Sequence, residues 1–107
     1  MAINVFKNVT HNVTITPAEI YTAPTGFSSI VLLAQVTNVT ATPSTITMSV
    51  LRDSVETFLA YEFSVPGNDS AGLLSGKLVL ESGQRIAISG GDDGSLQLVM
   101  SILESQN

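Results

Sequence analysis

The strongest constraint on this chain is an alternation of residue types with a period of two. Between residues 3 and 15 the odd positions carry Ile, Val, Lys, Val, His, Val and Ile, whereas the even positions carry Asn, Phe or Thr. Successive side chains of an extended strand point to opposite faces, so this pattern predicts a half-buried strand. The same alternation recurs at residues 46–50, 59–65, 86–89 and 96–102.

Composition and turn residues extend this prediction to the whole chain. Val, Ile and Thr supply 30 of the 107 residues, and β-branched side chains favour pleated strands over helices. Pro and Gly mark turns at 23–26 and 66–69, and residues 81–84 are predicted to form a hairpin. About eight short strands in about 100 residues predict an all-β fold, a single antiparallel β-sandwich over 1–107. Jelly-roll and immunoglobulin-like connectivities both remain open.

Two segments admit alternative interpretations. Residues 30–34 are apolar on both faces, which predicts a central strand covered on both sides within the sandwich, or else a strand covered by a partner chain. Residues 51–59 place apolar side chains at a helical spacing, which is compatible with a short helix. We predict a hairpin turn at residues 52–54 instead, because the alternation resumes at Leu59.

Charge and composition exclude several classes of partner. Four basic and nine acidic residues give a net charge of −5, the opposite of the basic excess typical of nucleic-acid binding. Cysteine is absent, which removes disulfides and thiol nucleophiles. The longest apolar run covers residues 30–34, far below the roughly 20 residues of a membrane span. Because residues 1–10 do not resemble a signal peptide, we expect synthesis in a cytosol.

The sequence also lacks the residues for enzymatic chemistry. His11 is the one histidine, and its place in an alternating strand predicts a packed or edge side chain rather than a proton carrier. Residues 72–77 are similar to a phosphate-binding loop. However, Ala71 stands where that loop needs its first glycine, and Leu78 where it needs Ser or Thr. We therefore expect a non-enzymatic protein with no catalytic residue and no cofactor.

Metal binding and glycosylation are not expected either. Asp92 and Asp93, with Asp69, could offer oxygen ligands to calcium, but they do not follow the 12-residue calcium loop. We interpret them as solvated loop acids. Asn-Val-Thr occurs three times, starting at Asn8, Asn12 and Asn38. Without a secretory signal these triplets are not expected to carry glycans.

Several turn and strand segments are familiar from a group of viral proteins. They lie at residues 19–26 (Glu-Ile-Tyr-Thr-Ala-Pro-Thr-Gly), 29–31, 36–38, 65–67, 78–86 and 98–104. Together they resemble small β-sandwich virion structural proteins of tailed phages, particularly of cyanobacterial and other marine phages. The chain departs from that pattern at Gln84, where Asp is common. The resemblance covers roughly residues 19 to 104 and carries over no catalytic residue.

The resemblance implies a structural part of the virion. The expected function is a capsid decoration or cement subunit on the particle surface, assembled in the host cytoplasm with the major capsid protein as partner. The alternatives are a collar, tail or fibre-attachment subunit, or a carbohydrate-binding receptor-recognition module. For the carbohydrate alternative, Tyr21 and Phe58 are the aromatic residues expected near loops.

A contact with neighbouring chains is predicted at the N-terminus. The apolar residues Ile3, Val5, Phe6 and Val9 fall on both parities, so residues 1–8 are a candidate arm that adds as a strand to a neighbour. The alternative is an ordinary first strand with Phe6 covered by a loop, and with the contact elsewhere, such as the loop at 67–72. Because charged residues that would block edge strands are scarce, we expect a homo-oligomer, with a trimer favoured.

Overall fold

The computed structural model describes residues 3–107, and it consists of strands and turns. Nine strands are formed: β1 (Asn4–Asn12), β2 (Ala18–Thr22), β3 (Phe27–Asn38), β4 (Ser44–Arg52), β5 (Val55–Val65), β6 (Ser70–Gly72), β7 (Leu78–Leu80), β8 (Arg85–Gly90) and β9 (Leu96–Gln106). Every pairing between them is antiparallel. The predicted all-β antiparallel sandwich is confirmed.

The strand order identifies the connectivity. Sheet 1 has the order β1-β9-β3-β6, with β7 also pairing β3, and sheet 2 has the order β2-β8-β4-β5. When β6 and β7 are counted as one interrupted strand, the first strand pairs with the last, and the second with the next to last. This nesting continues inward to the β4–β5 hairpin. Such nesting in two packed sheets is the jelly-roll arrangement, so the jelly-roll alternative applies.

The core lies between the two sheets and follows the predicted alternation. In β9 the side chains of Leu96, Leu98, Met100 and Ile102 are buried, and those between them are not. Sheet 2 contributes fully buried Ile46, Met48, Ile86 and Ile88. Complete burial of such a side chain contributes about 1.5–3 kcal/mol each, so the interface between the sheets is the main source of stability.

The strand that contains residues 30–34 lies centrally but is covered on one side only. β3 is flanked by β9 and by β6 and β7. Val31 and Ala34 are buried, whereas Leu32 and Leu33 are exposed and Ile30 is half-buried. The prediction that both faces would be covered within the sandwich is therefore wrong. In the residues that the structure describes, nothing covers the outer side of this strand.

The turn residues specify local chain reversals but not strand partners. The predicted turn after Arg52 is confirmed, with Asp53 at a φ of 55° between β4 and β5. At 81–84 the amide of Gln84 donates to the carbonyl oxygen of Glu81 at 3.0 Å, so a turn forms. However, it connects β7 of sheet 1 to β8 of sheet 2, and the predicted hairpin is wrong.

A buried polar network joins the two sheets. The hydroxyl of Tyr21 on β2 donates to Glu104 Oε2 on β9 at 2.5 Å and lies 2.7 Å from Ser29 Oγ on β3. Lys7 Nζ lies 3.2 Å from the other Glu104 carboxylate oxygen. Burial, followed by the hydrogen bond to Glu104, raises the pKa of Tyr21 to about 12. The phenol therefore stays neutral and donates to the carboxylate, as a buried charged acceptor requires.

Candidate interaction surfaces

The titratable residues singled out in the sequence are dispersed. His11 lies opposite Leu98 on the inward side of β1, and its Nε2 is buried with no hydrogen-bond partner in the described part of the chain. Asp93 accepts from the amide of Ile15 at 2.9 Å, and Asp92 accepts from Ser44 Oγ at 2.9 Å. Within residues 3–107, no three His, Asp, Glu or Cys side chains are grouped so that they could hold a metal.

Neither a membrane-spanning helix nor an apolar pocket over sheet 1 marks a site in the described residues. Across residues 3–107 the structure contains no helix of the length and apolarity needed to cross a membrane. A depression of about 410 Å³ lies over β1, β9 and β3. It is lined by Thr10, His11, Asn12, Thr37, Gln97, Leu98 and Val99. This lining offers mainly hydroxyl and amide groups.

A row of apolar side chains crosses the outer face of sheet 1. Phe6 on β1 is opposite Leu103 on β9, Leu103 is opposite Ile30 on β3, and Ile30 is opposite Val79 on β7. Directly opposed residues of antiparallel strands share one face of a sheet. Phe6 is 76% exposed and Val79 is 59% exposed. We call these four residues the stripe.

A β-bulge adds two more apolar side chains beside the stripe. The register between β3 and β9 shifts between Val31 and Leu33. The extra residue leaves both Leu32 and Leu33 outside the core, at 38% and 42% exposure. A bulge re-aims side chains in this way because two residues of one strand oppose a single residue of its neighbour.

The outer face of sheet 1 is uncharged. Its remaining outward positions hold Asn, Ser, Thr, Gln and Val side chains: Asn4, Asn8, Thr10, Asn12, Ser28, Gln35, Thr37, Ser70, Gln97, Val99, Ser101 and Ser105. Lys7 and Glu104, which lie on the same two strands, occupy inward positions and pair with each other. Water-exposed apolar groups in a face without charge are typical of an interaction surface.

The outer face of sheet 2 is different, because it carries the charged residues Arg85, Glu19 and Glu56, which have partners in the chain. Arg85 Nη1 lies 2.9 Å from Glu19 Oε2, and Arg85 also donates to the carbonyl oxygen of Asp53. Ser49 Oγ donates to Glu56 Oε2 at 2.5 Å. These contacts give Arg85, Glu19 and Glu56 partners without another molecule.

The edge strand of sheet 2 carries a second exposed apolar group. β5 pairs only with β4, and Val55, Phe58, Tyr61 and Phe63 are exposed along it. The rings of Phe58 and Tyr61 pack edge to face with centroids 4.8 Å apart. Two register shifts interrupt its pairing with β4, and Glu62 adopts a φ of 48°. Bulges of this kind blunt an edge strand against pairing with other chains.

The predicted contact residues are divided between two sides of β1. Phe6 points outward in the stripe, whereas Val5 and Val9 lie on the inward side and are half-buried. Ile3 precedes the strand, is half exposed and accepts a hydrogen bond from the amide of Gln106 at 2.9 Å. Leu103, Ile30 and Val79 could not be predicted as contact residues from the sequence, because their alignment with Phe6 depends on pairings between distant strands.

The pairing of β1 matches the alternative of an ordinary first strand, but the expectation that a loop covers Phe6 is wrong, because its side chain is exposed. β1 pairs with β9 at nine consecutive positions from Asn4 to Asn12. An arm would have to release these pairs, so exchange of residues 3–8 between copies stays a prediction. Residues 1 and 2 lie outside the described residues. Tyr21, predicted near a loop, is instead buried between the sheets.

Comparisons with known proteins show similarity of fold. The chain matches no protein-family model and no curated protein. Among solved structures it is similar to a chain of the Bacillus endospore appendages, described as disulfide-linked pili, at 15% identity and a TM-score of 0.59. That alignment covers 99% of this chain and 88% of the other. A capsid chain of the Helicobacter pylori bacteriophage KHP30 aligns at 14% identity and a TM-score of 0.55, covering 97% and 92%.

At these identities the likenesses establish the two-sheet fold and nothing more. A single fold of this type serves unrelated functions, which reside in the surfaces placed on it. Two observations from the chain itself therefore bear on its role: where its uncovered surfaces lie, and which chemical groups they contain.

Proposed function

We propose that the chain is a non-enzymatic structural subunit of a phage particle. The observation that carries the proposal is the alignment with the KHP30 capsid chain over nearly the full length of both chains. The jelly roll recurs among viral capsid domains, and the sequence segments described above resemble phage virion proteins. An exposed apolar stripe also suits a subunit whose faces are completed by neighbours.

The finer form of the proposal is a decoration or cement subunit that binds the major capsid protein on the outside of the particle. A collar, tail or fibre-attachment subunit is the alternative. The two differ in the number of copies, because decoration follows the capsid lattice whereas a collar or tail holds a few subunits. Quantitative mass spectrometry of purified particles measures that number relative to the major capsid protein. Absence of the chain from purified particles would contradict both forms.

The proposed contact on the particle is the open edge of β1, which includes the predicted residues Ile3, Val5, Phe6 and Val9. β1 is regular along nine residues, and Lys7 is its one charged residue. Exposed edge strands pair with other chains unless they are blocked. Strand addition at this edge would satisfy the backbone groups that β1 leaves free.

A disulfide lock tests whether β1 exchanges between chains or stays in place. Asn4 and Ser105 are directly opposed near the start of β1 and the end of β9, and the chain has no cysteine of its own. The double variant Asn4→Cys, Ser105→Cys can therefore be compared with itself in oxidised and reduced form. If β1 is an exchanging arm, oxidation abolishes binding to particles that lack the protein. Equal binding in both forms would exclude exchange and support contact through the strand in place.

Carbohydrate binding is the second candidate function, and one observation favours it. A groove of about 300 Å³ on sheet 2 is lined in part by Phe58, Tyr61, Glu56 and Glu62. Exposed aromatic rings beside hydrogen-bonding carboxylates can hold an apolar sugar face and its hydroxyls. Isothermal titration with host-surface oligosaccharides tests this role. Binding that is lost in Tyr61→Ala and kept in Phe6→Ala would support it, and no binding would contradict it.

A further inference from the structure

We infer that two copies of this chain pack face to face through the outer side of sheet 1, with the stripe as the apolar part of the contact. The occupant of this face is thus a second copy of the chain in the reverse orientation about a two-fold axis. Self-association of the isolated chain is independent of any place on a particle. A stable pair in solution would leave the inference standing even if the virion role failed.

The face is large enough for a stable pair. β9 has 11 residues, and at about 3.3 Å per residue it is roughly 36 Å long. β1 has nine residues and β3 has 12, and β6 and β7 form an incomplete fourth strand of three residues each. At about 4.8 Å between strands these lengths give an area of about 600 Å², which reaches the lower end of the roughly 600–1,000 Å² that each partner buries in a standard interface.

Charge selects a second copy as the occupant. The chain carries a net charge of −5, so two copies repel each other wherever their acidic groups approach. Stacking through sheet 2 would bring Glu19 and Glu56 of one copy toward those of the other. Stacking through sheet 1 brings together only uncharged outward side chains. A strongly charged partner would find no counter-charge there, whereas an identical neutral face brings no charged side chain into the contact.

The outer face of sheet 1 is complementary in shape to the same face of a second copy. The stripe is a ridge of four large side chains across four strands. On one side it is flanked by the shorter Asn4, Ser105 and Ser28, and on the other by Asn8, Ser101 and the exposed Leu33. Two sheets that pack about 10 Å apart interdigitate their facing side chains. A two-fold axis lets the ridge of each copy lie in the row of Asn4, Ser105 and Ser28 of the other, which is how an isologous contact closes.

Sedimentation equilibrium on the full chain tests the inference with three matched variants. Phe6→Glu and Val79→Glu place a charge at either end of the stripe, on side chains already more than half exposed. Tyr61→Glu is the control, because Tyr61 is an aromatic of similar exposure, 64%, on the edge strand of sheet 2. We expect the wild-type chain to form a dimer. Both stripe variants should raise the Kd of the dimer by about 100-fold or more, and the control should raise it by less than about 3-fold.

Four results would overturn the inference. A wild-type chain that stays monomeric at about 200 μM lacks the affinity of even weak specific pairs. A trimer, the oligomer favoured by the sequence, would require a contact other than a two-fold one. Equal weakening by Tyr61→Glu would place the contact on sheet 2. An effect of Phe6→Glu without one of Val79→Glu would place it at the edge of β1. Circular dichroism of each variant confirms that the sheets are retained.

Salt gives a second, independent readout. Raising the ionic strength from about 0.05 to 0.5 M shortens the screening length and weakens repulsion between the two acidic copies. The Kd for association through the uncharged face should therefore stay unchanged or fall by up to several fold. Weakening by salt would indicate an interface held by ion pairs and would contradict packing through sheet 1.

Discussion

The two outer faces of the sandwich are built from strands with the same alternation, but their outward side chains differ in charge and in whether they have partners within the chain. On sheet 2 the guanidinium of Arg85 contacts both Glu19 and the Asp53 carbonyl oxygen, and Glu56 accepts from Ser49. On sheet 1 the outward positions are uncharged, and Phe6 and Val79 are exposed to water. The alternation fixes which side chains point outward. The identity of those side chains decides whether a face is complete alone or needs a partner.

The edge strands show a similar contrast. β5 shifts register twice against β4 and carries Glu56 and Glu62, and both features discourage pairing with another chain. β1 keeps one register with β9 from Asn4 to Asn12. Sheet 1 therefore combines an uncharged face with an open, regular edge, whereas sheet 2 has a charged face and an irregular edge.

The largest predicted effect is a loss of stability on substitution of a core residue of β9, compared with its neighbour on the outer face. Ile102 and Leu103 are neighbours on β9, but Ile102 is buried in the core and Leu103 is half-buried on the outer face. Ile102→Ala should lower the free energy of unfolding by about 2–5 kcal/mol, because it leaves a cavity in the core. Leu103→Ala should cost less than about 1.5 kcal/mol in dilute solution.

Urea unfolding at low protein concentration measures both costs for the monomer. Low concentration is needed because self-association stabilises the folded state by mass action. At high concentration the cost of Leu103→Ala should rise, since the wild-type chain gains a contact that the variant has weakened. Equal costs for the two variants in dilute solution would mean that the outer face is already covered within one chain.

The sequence was sufficient to predict the sandwich and most of its strands, and the physical reason is local. Burial of one face imposes a period of two on each strand, and this pattern is visible in residues 96–102 without knowledge of any partner. The turn after Arg52 was likewise predictable, because the strands on either side are neighbours in sequence and pair as a hairpin. Local signals describe local structure well.

Features that depend on distant partners were not predictable. The turn at 81–84 has the residues of a hairpin, yet its strands lie in different sheets. The stripe aligns residues 6, 30, 79 and 103, which come together only through three separate strand pairings. Asn38 was noted as part of an Asn-Val-Thr triplet. It is buried, and its amide donates to the carbonyl oxygens of Thr42 and Val65, which fixes the end of β3.

The next largest effect concerns the polar link between the two sheets. Tyr21→Phe removes the hydroxyl that donates to Glu104 and leaves a buried carboxylate with one donor fewer. We expect a loss of about 1.5–3 kcal/mol in the free energy of unfolding, the usual cost for a hydrogen bond to a charged group. Tyr61→Phe is the matched control and should change stability by less than about 0.5 kcal/mol. Similar losses for both would mean that the network does not join the sheets.

The same network gives a dependence on alkaline pH. Because the pKa of Tyr21 is raised from its ordinary value of 10 to about 12, the unfolded chain releases this proton before the folded chain does. The stabilisation is therefore complete below pH 10 and is lost as the pH rises through about 12. The difference in unfolding free energy between wild type and Tyr21→Phe should shrink between pH 9 and pH 11.5. A constant difference would contradict the raised pKa.

The smallest predicted effect lies on the outer face of sheet 2. Glu19→Gln removes the carboxylate partner of Arg85, but half of the Glu19 side chain is exposed to water. Exposed ion pairs contribute only about 0.2–1 kcal/mol and are screened by salt. The cost of the variant should therefore be small in dilute buffer and should approach zero in about 1 M salt. Because Glu19 is already paired within one chain and lies outside the proposed contact, the Kd for self-association should stay unchanged.

Phe6→Glu should have the opposite effects: it should raise the Kd for self-association and leave the free energy of unfolding of the monomer nearly unaltered. If Glu19→Gln disrupted association, or Phe6→Glu unfolded the monomer, the claim that sheet 1 and not sheet 2 mediates self-association would be refuted.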